Sequence, residues 1–154
     1  MKRLYYVLIL IFFSINLFGQ ERIQIPLDKN ENWNQFIHND IISLSVRFAD
    51  CSDPSNGIYR DYYLLKLENN TDSTVLVDWH YDLYYDGECT TCVDVDNEFL
   101  FRYELSPREI IEANCDNFII APPYQLGIFR SIIDMPQTPR LTDAKISNLI
   151  TYTY

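Results

Sequence analysis

Strict alternation of apolar and polar side chains over residues 75–86 is the feature that most constrains this chain. The apolar set takes every second position: Val75, Val77, Trp79, Tyr81, Leu83 and Tyr85. The positions between them are mostly polar: Leu76, Asp78, His80, Asp82, Tyr84 and Asp86. A period of two over this length is typical of a β-strand with one apolar face and one polar, solvent-facing face, and no helical pattern fits it. The stretch therefore predicts a core strand of an antiparallel sheet.

A second alternating run, residues 62–68, precedes the first, and the turn formers of residues 69–73 join the two. If the runs pair as a hairpin, their apolar faces must match, which excludes a slip of one residue. One register that satisfies this pairs Leu65 with Trp79, Tyr63 with Tyr81 and Lys66 with Asp78. The alternative is an arch that carries the second run into an opposing sheet.

Further short strands, separated by turn residues, are predicted along the rest of the chain. They cover residues 41–49, 98–106, 109–114, 124–132 and 144–152, with a short edge strand within residues 22–27. Residues 29–39 predict a helical turn or a loop. About seven strands in all, with no internal repeat or long linker, favour an all-β fold: a two-layer antiparallel β-sandwich of immunoglobulin-like type.

The start of the chain has the pattern of an export signal. A basic tripeptide is followed by residues 4–18, which are almost wholly apolar. Roughly 15 apolar residues suit a signal peptide and fall short of the ~20 that span a bilayer. We therefore predict a signal peptide over residues 1–20, cut on either side of Gln20, and a single domain over residues 21–154 that is secreted or periplasmic. An uncleaved anchor is the alternative.

The charge of the chain bears on its partners. The predicted signal contains Lys2 and Arg3 and no acid, so its removal takes the net charge from −10 to −12. Such a surface repels phosphate backbones and anionic lipid. We therefore expect no nucleic-acid partner and no membrane binding after signal cleavage.

An even number of cysteines in an exported chain predicts two disulfides. The cysteines are Cys51, Cys89, Cys92 and Cys115. Five consecutive strands are predicted over residues 41–49, 59–69, 74–86, 98–106 and 109–114, and consecutive antiparallel strands reverse direction. Cys51 follows the first of these strands, Cys89 and Cys92 follow the third, and Cys115 follows the fifth. All four are therefore expected at one end of the sandwich. Spacing does not choose between pairing Cys89 with Cys92 and crossing each of them to a remote partner. A zinc site of four thiolates and a redox-active Cys89–Cys92 pair are the other interpretations.

Acidic side chains collect in the loops at the same end. Asp94, Asp96 and Glu98 place carboxylates at alternate positions of one loop. Because Ca²⁺ takes six to eight oxygen ligands from loops of this kind, these residues are a candidate calcium site, although no EF-hand spacing is present. The sequence implies no other cofactor.

Five further side chains are candidates for binding. His80 lies between Asp78 and Asp82 on the polar face of the central strand, where such a row could hold a metal or transfer a proton. An ordinary exposed strand face is the simpler interpretation. Tyr62 and Tyr84 are expected on the polar face, where their rings could stack on sugars or anchor a protein partner, or else pack across strands.

Two stretches carry a resemblance to a known group. Residues 67–72 followed by the alternating strand, then residues 84–92, resemble small secreted β-sandwich proteins of Bacteroidetes-type bacteria, as does the end of the signal, Phe18-Gly19-Gln20. The resemblance covers about residues 48–115. It implies the fold and the compartment, and it implies no activity and no site.

The sequence contains no nucleophile elbow, zinc-protease helix, phosphate-binding loop or dinucleotide glycine run. The leading hypothesis is therefore a non-enzymatic, disulfide-bonded binding module for a protein or a glycan. A calcium-dependent glycan-binding module comes second, and a secreted hydrolase or thiol-redox enzyme third.

Overall fold

The computed structural model describes residues 22–92, 99–116, 126–132 and 137–154. These residues form ten strands and one 3-10 turn, Pro54–Asn56. The strands are β1 (Ile23–Gln24), β2 (Asn34–His38), β3 (Ile42–Asp50), β4 (Arg60–Asn69), β5 (Val75–Tyr85), β6 (Glu88–Cys89), β7 (Leu100–Leu105), β8 (Ile110–Glu112), β9 (Gly127–Ile132) and β10 (Leu141–Thr153).

The strands form two antiparallel sheets that pack together. Sheet I has the order β1-β10-β5, with β6 and β7 both paired to the far side of β5. Sheet II has the order β2-β3-β4, with β8 and β9 both paired to the far side of β4. The predicted all-β, two-layer antiparallel sandwich is confirmed. The strand total exceeds the predicted seven or so because β2 and the two-residue β6 lie in segments for which no strand was predicted. The immunoglobulin-like arrangement stays a prediction.

The core lies between the two apolar faces. Sheet I contributes the alternating residues of β5, which are buried throughout: Val75, Val77, Trp79, Tyr81 and Leu83. Sheet II contributes matching residues from β3 and β4: Ile42, Leu44, Val46, Leu65 and Leu67. Burial of an aliphatic or aromatic side chain contributes about 1.5–3 kcal/mol, so this double layer is the main source of stability.

The connection between β4 and β5 is an arch, so the hairpin register is wrong. β4 pairs with β3, β8 and β9 in sheet II, whereas β5 pairs with β10, β6 and β7 in sheet I. Trp79 therefore lies opposite Phe101, and Asp78 opposite Arg102. Leu65 lies opposite Val46. The alternative of a strand carried into the opposing sheet is confirmed.

A single buried amide holds this arch. The Asn69 side chain is at the end of β4, and its Nδ2 donates to the carbonyl oxygens of Ser73 and Ser106, each at 2.8 Å. Its Oδ1 accepts from the backbone N–H and the hydroxyl of Thr71, also at 2.8 Å. Because Ser106 directly follows β7 of sheet I, the amide ties the end of sheet II to sheet I.

We expect Asn69→Ala to lower the free energy of unfolding by about 2 kcal/mol, because it leaves buried carbonyl and N–H groups without partners. Chemical denaturation of the purified protein measures this. Asn32→Ala is the matched control, since the Asn32 side chain is exposed and is not used in its hydrogen bond to Asn30. Equal stability of both variants would mean that the arch does not depend on the amide.

The segment before β3 differs from its prediction. Residues 34–38 form β2 at the edge of sheet II, so the helical turn or loop predicted for residues 29–39 is wrong over this part. Trp33, just before β2, lies with its ring 4.7 Å from the Arg47 guanidinium carbon. The edge strand within residues 22–27 is confirmed as β1.

Candidate binding face and disulfide-bonded end

The outer face of sheet I contains four of the five candidate binding residues. Because side chains alternate along β5, Asp78, His80, Asp82 and Tyr84 point away from the core. The register places partners from the adjacent strands beside them: Arg102, Lys145, Ser147, Ile150 and, next to Leu76, Tyr152. We call this set of side chains the outer face.

Asp78 forms a two-pronged ion pair with Arg102. Arg102 Nε donates to Oδ1 at 2.9 Å, and Nη2 donates to Oδ2 at 2.8 Å. The side chain of Asp78 is 12% exposed and that of Arg102 is 57% exposed. The parallel fork fixes the guanidinium in one orientation at the surface.

Asp82 is buried among polar partners. Ser147 Oγ donates to Oδ1 at 3.0 Å, and His80 Nδ1 lies 3.1 Å from the same oxygen. Arg22 Nε lies 3.1 Å from Oδ2 as an ion pair, without the alignment of a hydrogen bond. A carboxylate only accepts, so His80 Nδ1 is the donor in this contact. His80 Nε2 is buried and has no hydrogen-bond partner among the described residues.

These contacts divide the Asp-His-Asp row into two separate units. Asp78 is turned to Arg102, while His80 and Asp82 face Ser147 and Arg22. The described residues hold no group of three or more His, Cys, Asp or Glu side chains arranged to hold a metal ion. The expectation of an open, wet strand face is wrong here, because Asp78 and Asp82 are buried and His80 is half-buried.

The two candidate tyrosines have different environments. Tyr84 is half-buried, and Lys145 Nζ lies 4.8 Å from its ring centroid on the outer face. Tyr62 is in sheet II and is only 6% exposed, packed edge-on against Phe129 at 5.6 Å. The prediction that the Tyr62 ring is accessible is wrong, because β4 is buried on both faces from Tyr62 to Leu65. Tyr62 instead packs against a ring of the neighbouring strand, which was the alternative prediction for this residue.

A shallow groove of about 770 Å³ crosses the outer face beside the ion pair. It is lined by Leu76, Asp78, Arg102, Tyr152 and Tyr154, with Thr151 and Thr153. Tyr152 is 49% exposed and Tyr154 67%. Sequence reasoning did not select these two tyrosines, although alternation of Ile150, Tyr152 and Tyr154 on one side of the last strand was the available signal.

Both disulfides are present, with Cys51 bonded to Cys115 and Cys89 to Cys92. The pairing of neighbouring cysteines, one of the two alternatives, is confirmed. Every cysteine is therefore oxidised, and none is available as a thiolate ligand.

The four cysteines lie at the same end of the sandwich, as predicted. Tyr85, the last residue of β5, donates from Oη to the carbonyl oxygen of Phe129 at 2.7 Å. Phe129 pairs with Tyr62 near the start of β4, beside the end of β3. The end of β5 therefore lies where β3 ends. Cys51 directly follows β3, and Cys89 in β6 pairs with Tyr84 near the end of β5.

A second, polar pocket of about 320 Å³ surrounds the Cys51–Cys115 disulfide. Its acids are Asp50, Asp53 and Asp116. Hydrogen bonds from Ser55 and Asn56 hold the pKa of Asp53 below its usual value. The candidate calcium ligands Asp94, Asp96 and Glu98 lie outside the described residues.

Comparisons of the chain with protein-family models, with curated proteins and with solved structures returned no match. No helix among the described residues is long and apolar enough to cross a membrane. The two disulfides are compatible with a location outside the cytoplasm.

Proposed function

We propose that this protein is an exported, non-enzymatic binding module, and that the groove on its outer face takes a glycan. One observation carries the proposal: two exposed tyrosine rings and Leu76 border a rigid Asp78–Arg102 ion pair. Open sites that combine aromatic faces with a few fixed polar groups suit sugars, whose C–H faces stack on rings while their hydroxyls take hydrogen bonds.

The contacts of the charged groups on the outer face favour a binding function over a catalytic one. Asp78, Asp82 and Lys145 are each engaged with a neighbouring side chain, so they hold the face in shape. Arg102 uses Nε and Nη2 for Asp78, which leaves Nη1 to meet a ligand hydroxyl. The net charge of −10 disfavours an anionic polysaccharide, so a neutral glycan is the expected ligand.

We expect Tyr152→Ala to weaken glycan binding at least about tenfold, because it removes one of the two stacking rings. Affinity electrophoresis and calorimetry against neutral β-glucan, mannan and xylan measure this. Tyr59→Ala is the matched control: Tyr59 is 42% exposed, but it precedes β4 and lies outside the groove.

The same experiment separates the competing functions. Unchanged glycan affinity in Tyr152→Ala would show that the groove is not the binding site. Binding that requires added Ca²⁺ and is lost in a variant combining Asp94→Ala with Asp96→Ala would favour the calcium-dependent module. If none of the three polysaccharides binds, the glycan proposal fails and a protein partner takes its place.

A further inference from the structure

The last strand has one edge that no described strand covers. β10 pairs with β5 from Leu141 to Thr153. On its other side, β1 pairs only with Lys145 and Ile146. Within residues 22–92, 99–116, 126–132 and 137–154, nothing pairs with residues 147–153 on that side. We call residues 147–153 the open edge.

The backbone groups of the open edge point away from the sheet at known positions. The Tyr154 N–H donates to the Thr74 carbonyl oxygen at 3.1 Å, so Tyr154 directs its groups toward β5. Directions alternate along an antiparallel strand, and the register is regular from Ile150 to Thr153. Thr151 and Thr153 therefore point their N–H and C=O groups outward, where only another extended backbone can pair with the whole row.

The register of the open edge is shifted between Ser147 and Ile150, where Asn148 has a positive φ, so only residues 150–153 offer a regular edge. That regular part lacks the features that normally protect such a strand. Residues 147–153 contain no Asp, Glu, Lys, Arg or Pro. The strands that border the opposite sides of the two sheets all carry a charge: Glu88 in β6, Arg102 and Glu104 in β7, Glu112 in β8 and Arg130 in β9. β2 is also uncharged, but its register is interrupted in the middle of its five residues. Charges and proline are the usual protection against strand addition.

We propose that the open edge pairs antiparallel with the open edge of a second copy of this chain, and forms a two-fold symmetric dimer. A two-fold axis brings an edge against the same edge of the other copy, so like charges there would repel. In a molecule with a net charge of −10, the uncharged edge is where two copies can approach. Pairing also brings Ile150 and Tyr152 of both copies, 46% and 49% exposed, onto one continuous outer face.

Sedimentation equilibrium over a wide concentration range tests the dimer, using protein produced from the full sequence in an exporting host so that both disulfides form. Thr151→Pro removes the outward N–H without touching a bond to β5, and Pro is tolerated at such a position. We expect it to raise the dimer Kd at least about tenfold, while Thr151→Val, which keeps the N–H, leaves the Kd within about twofold.

Variants with opposite charges at Ile150 test whether the open edge is the dimer interface, and a mixture of the two distinguishes a lost interface from a lost fold. Ile150→Lys and Ile150→Asp should each be monomeric because each brings two like charges together near the axis, and an equimolar mixture should form a heterodimer. Thermal melts confirm that each variant is folded. A protein that stays monomeric at every concentration overturns the proposal, and so does a dimer that withstands both Thr151→Pro and Ile150→Lys.

Discussion

Replacement of Cys51 and Cys115 together by serine is expected to lower the free energy of unfolding by about 4 kcal/mol. The two residues are 64 positions apart in sequence, so the bond closes a long loop and removes much of the entropy of the unfolded chain. The same relation gives about 2 kcal/mol for Cys89 and Cys92, which are three positions apart. For a domain of this size the first loss should lower Tm by about 10 °C or more.

The matched control is the double serine variant of Cys89 and Cys92, made in the same exporting host. Its loop keeps other anchors: Thr91 Oγ1 donates to the Tyr81 carbonyl oxygen at 2.6 Å and accepts from the Leu83 N–H at 2.8 Å. Urea denaturation of both variants measures the difference. If the loss of the short-range disulfide costs as much as the loss of the long-range one, loop entropy is not what these bonds contribute.

Side-chain alternation was sufficient to predict the local structure. The strand predicted over residues 74–86 is β5, Val75–Tyr85, and that over residues 59–69 is β4, Arg60–Asn69. Since a period of two fixes which side chains share a face, the core residues of β5 and the shared end of the four cysteines also followed. Each of these inferences needed only the direction of neighbouring strands.

Strand partners could not be predicted in this way. A hairpin and an arch give the same alternation, and the choice depends on contacts that are distant in the chain. β5 pairs with β10, whose Ile146 lies opposite Tyr81, and β4 pairs with β3 through Leu44 and Leu67. The Asn69 side chain, which bonds across the arch, looks like any turn residue in the sequence.

Burial of the outer face of sheet I was the other feature that the sequence did not predict. Alternation assigns polarity to a face without saying whether that face is covered. Asp82 is polar by position but nearly inaccessible, because Arg22, the residue before β1, and Ser147 of β10 both approach it. The exposed tyrosines were missed for the same reason: on the side of β10 away from β5, no described strand lies beside Tyr152, and its ring is accessible.

Trp79→Ala is expected to lower the free energy of unfolding by about 3–5 kcal/mol, the range for removal of a large buried ring. Trp79 is fully buried and stacks on Phe101 with a centroid separation of 3.7 Å and an interplanar angle of 12°. It also meets the Tyr81 ring edge-on at 5.7 Å. Trp33→Ala is the control, since Trp33 is only partly buried, and we expect it to cost about 1 kcal/mol.

The two tryptophans make this comparison readable by fluorescence, because each variant leaves one reporter: Trp33 in Trp79→Ala and Trp79 in Trp33→Ala. We expect blue-shifted emission from Trp79 and red-shifted emission from Trp33, followed through urea unfolding. Asp78 and His80 flank Trp79 on β5, so a cavity beneath them should also loosen the outer face and weaken ligand binding at the groove. A Trp79→Ala protein as stable as the Trp33→Ala protein would contradict a core centred on the β5–β7 ring stack.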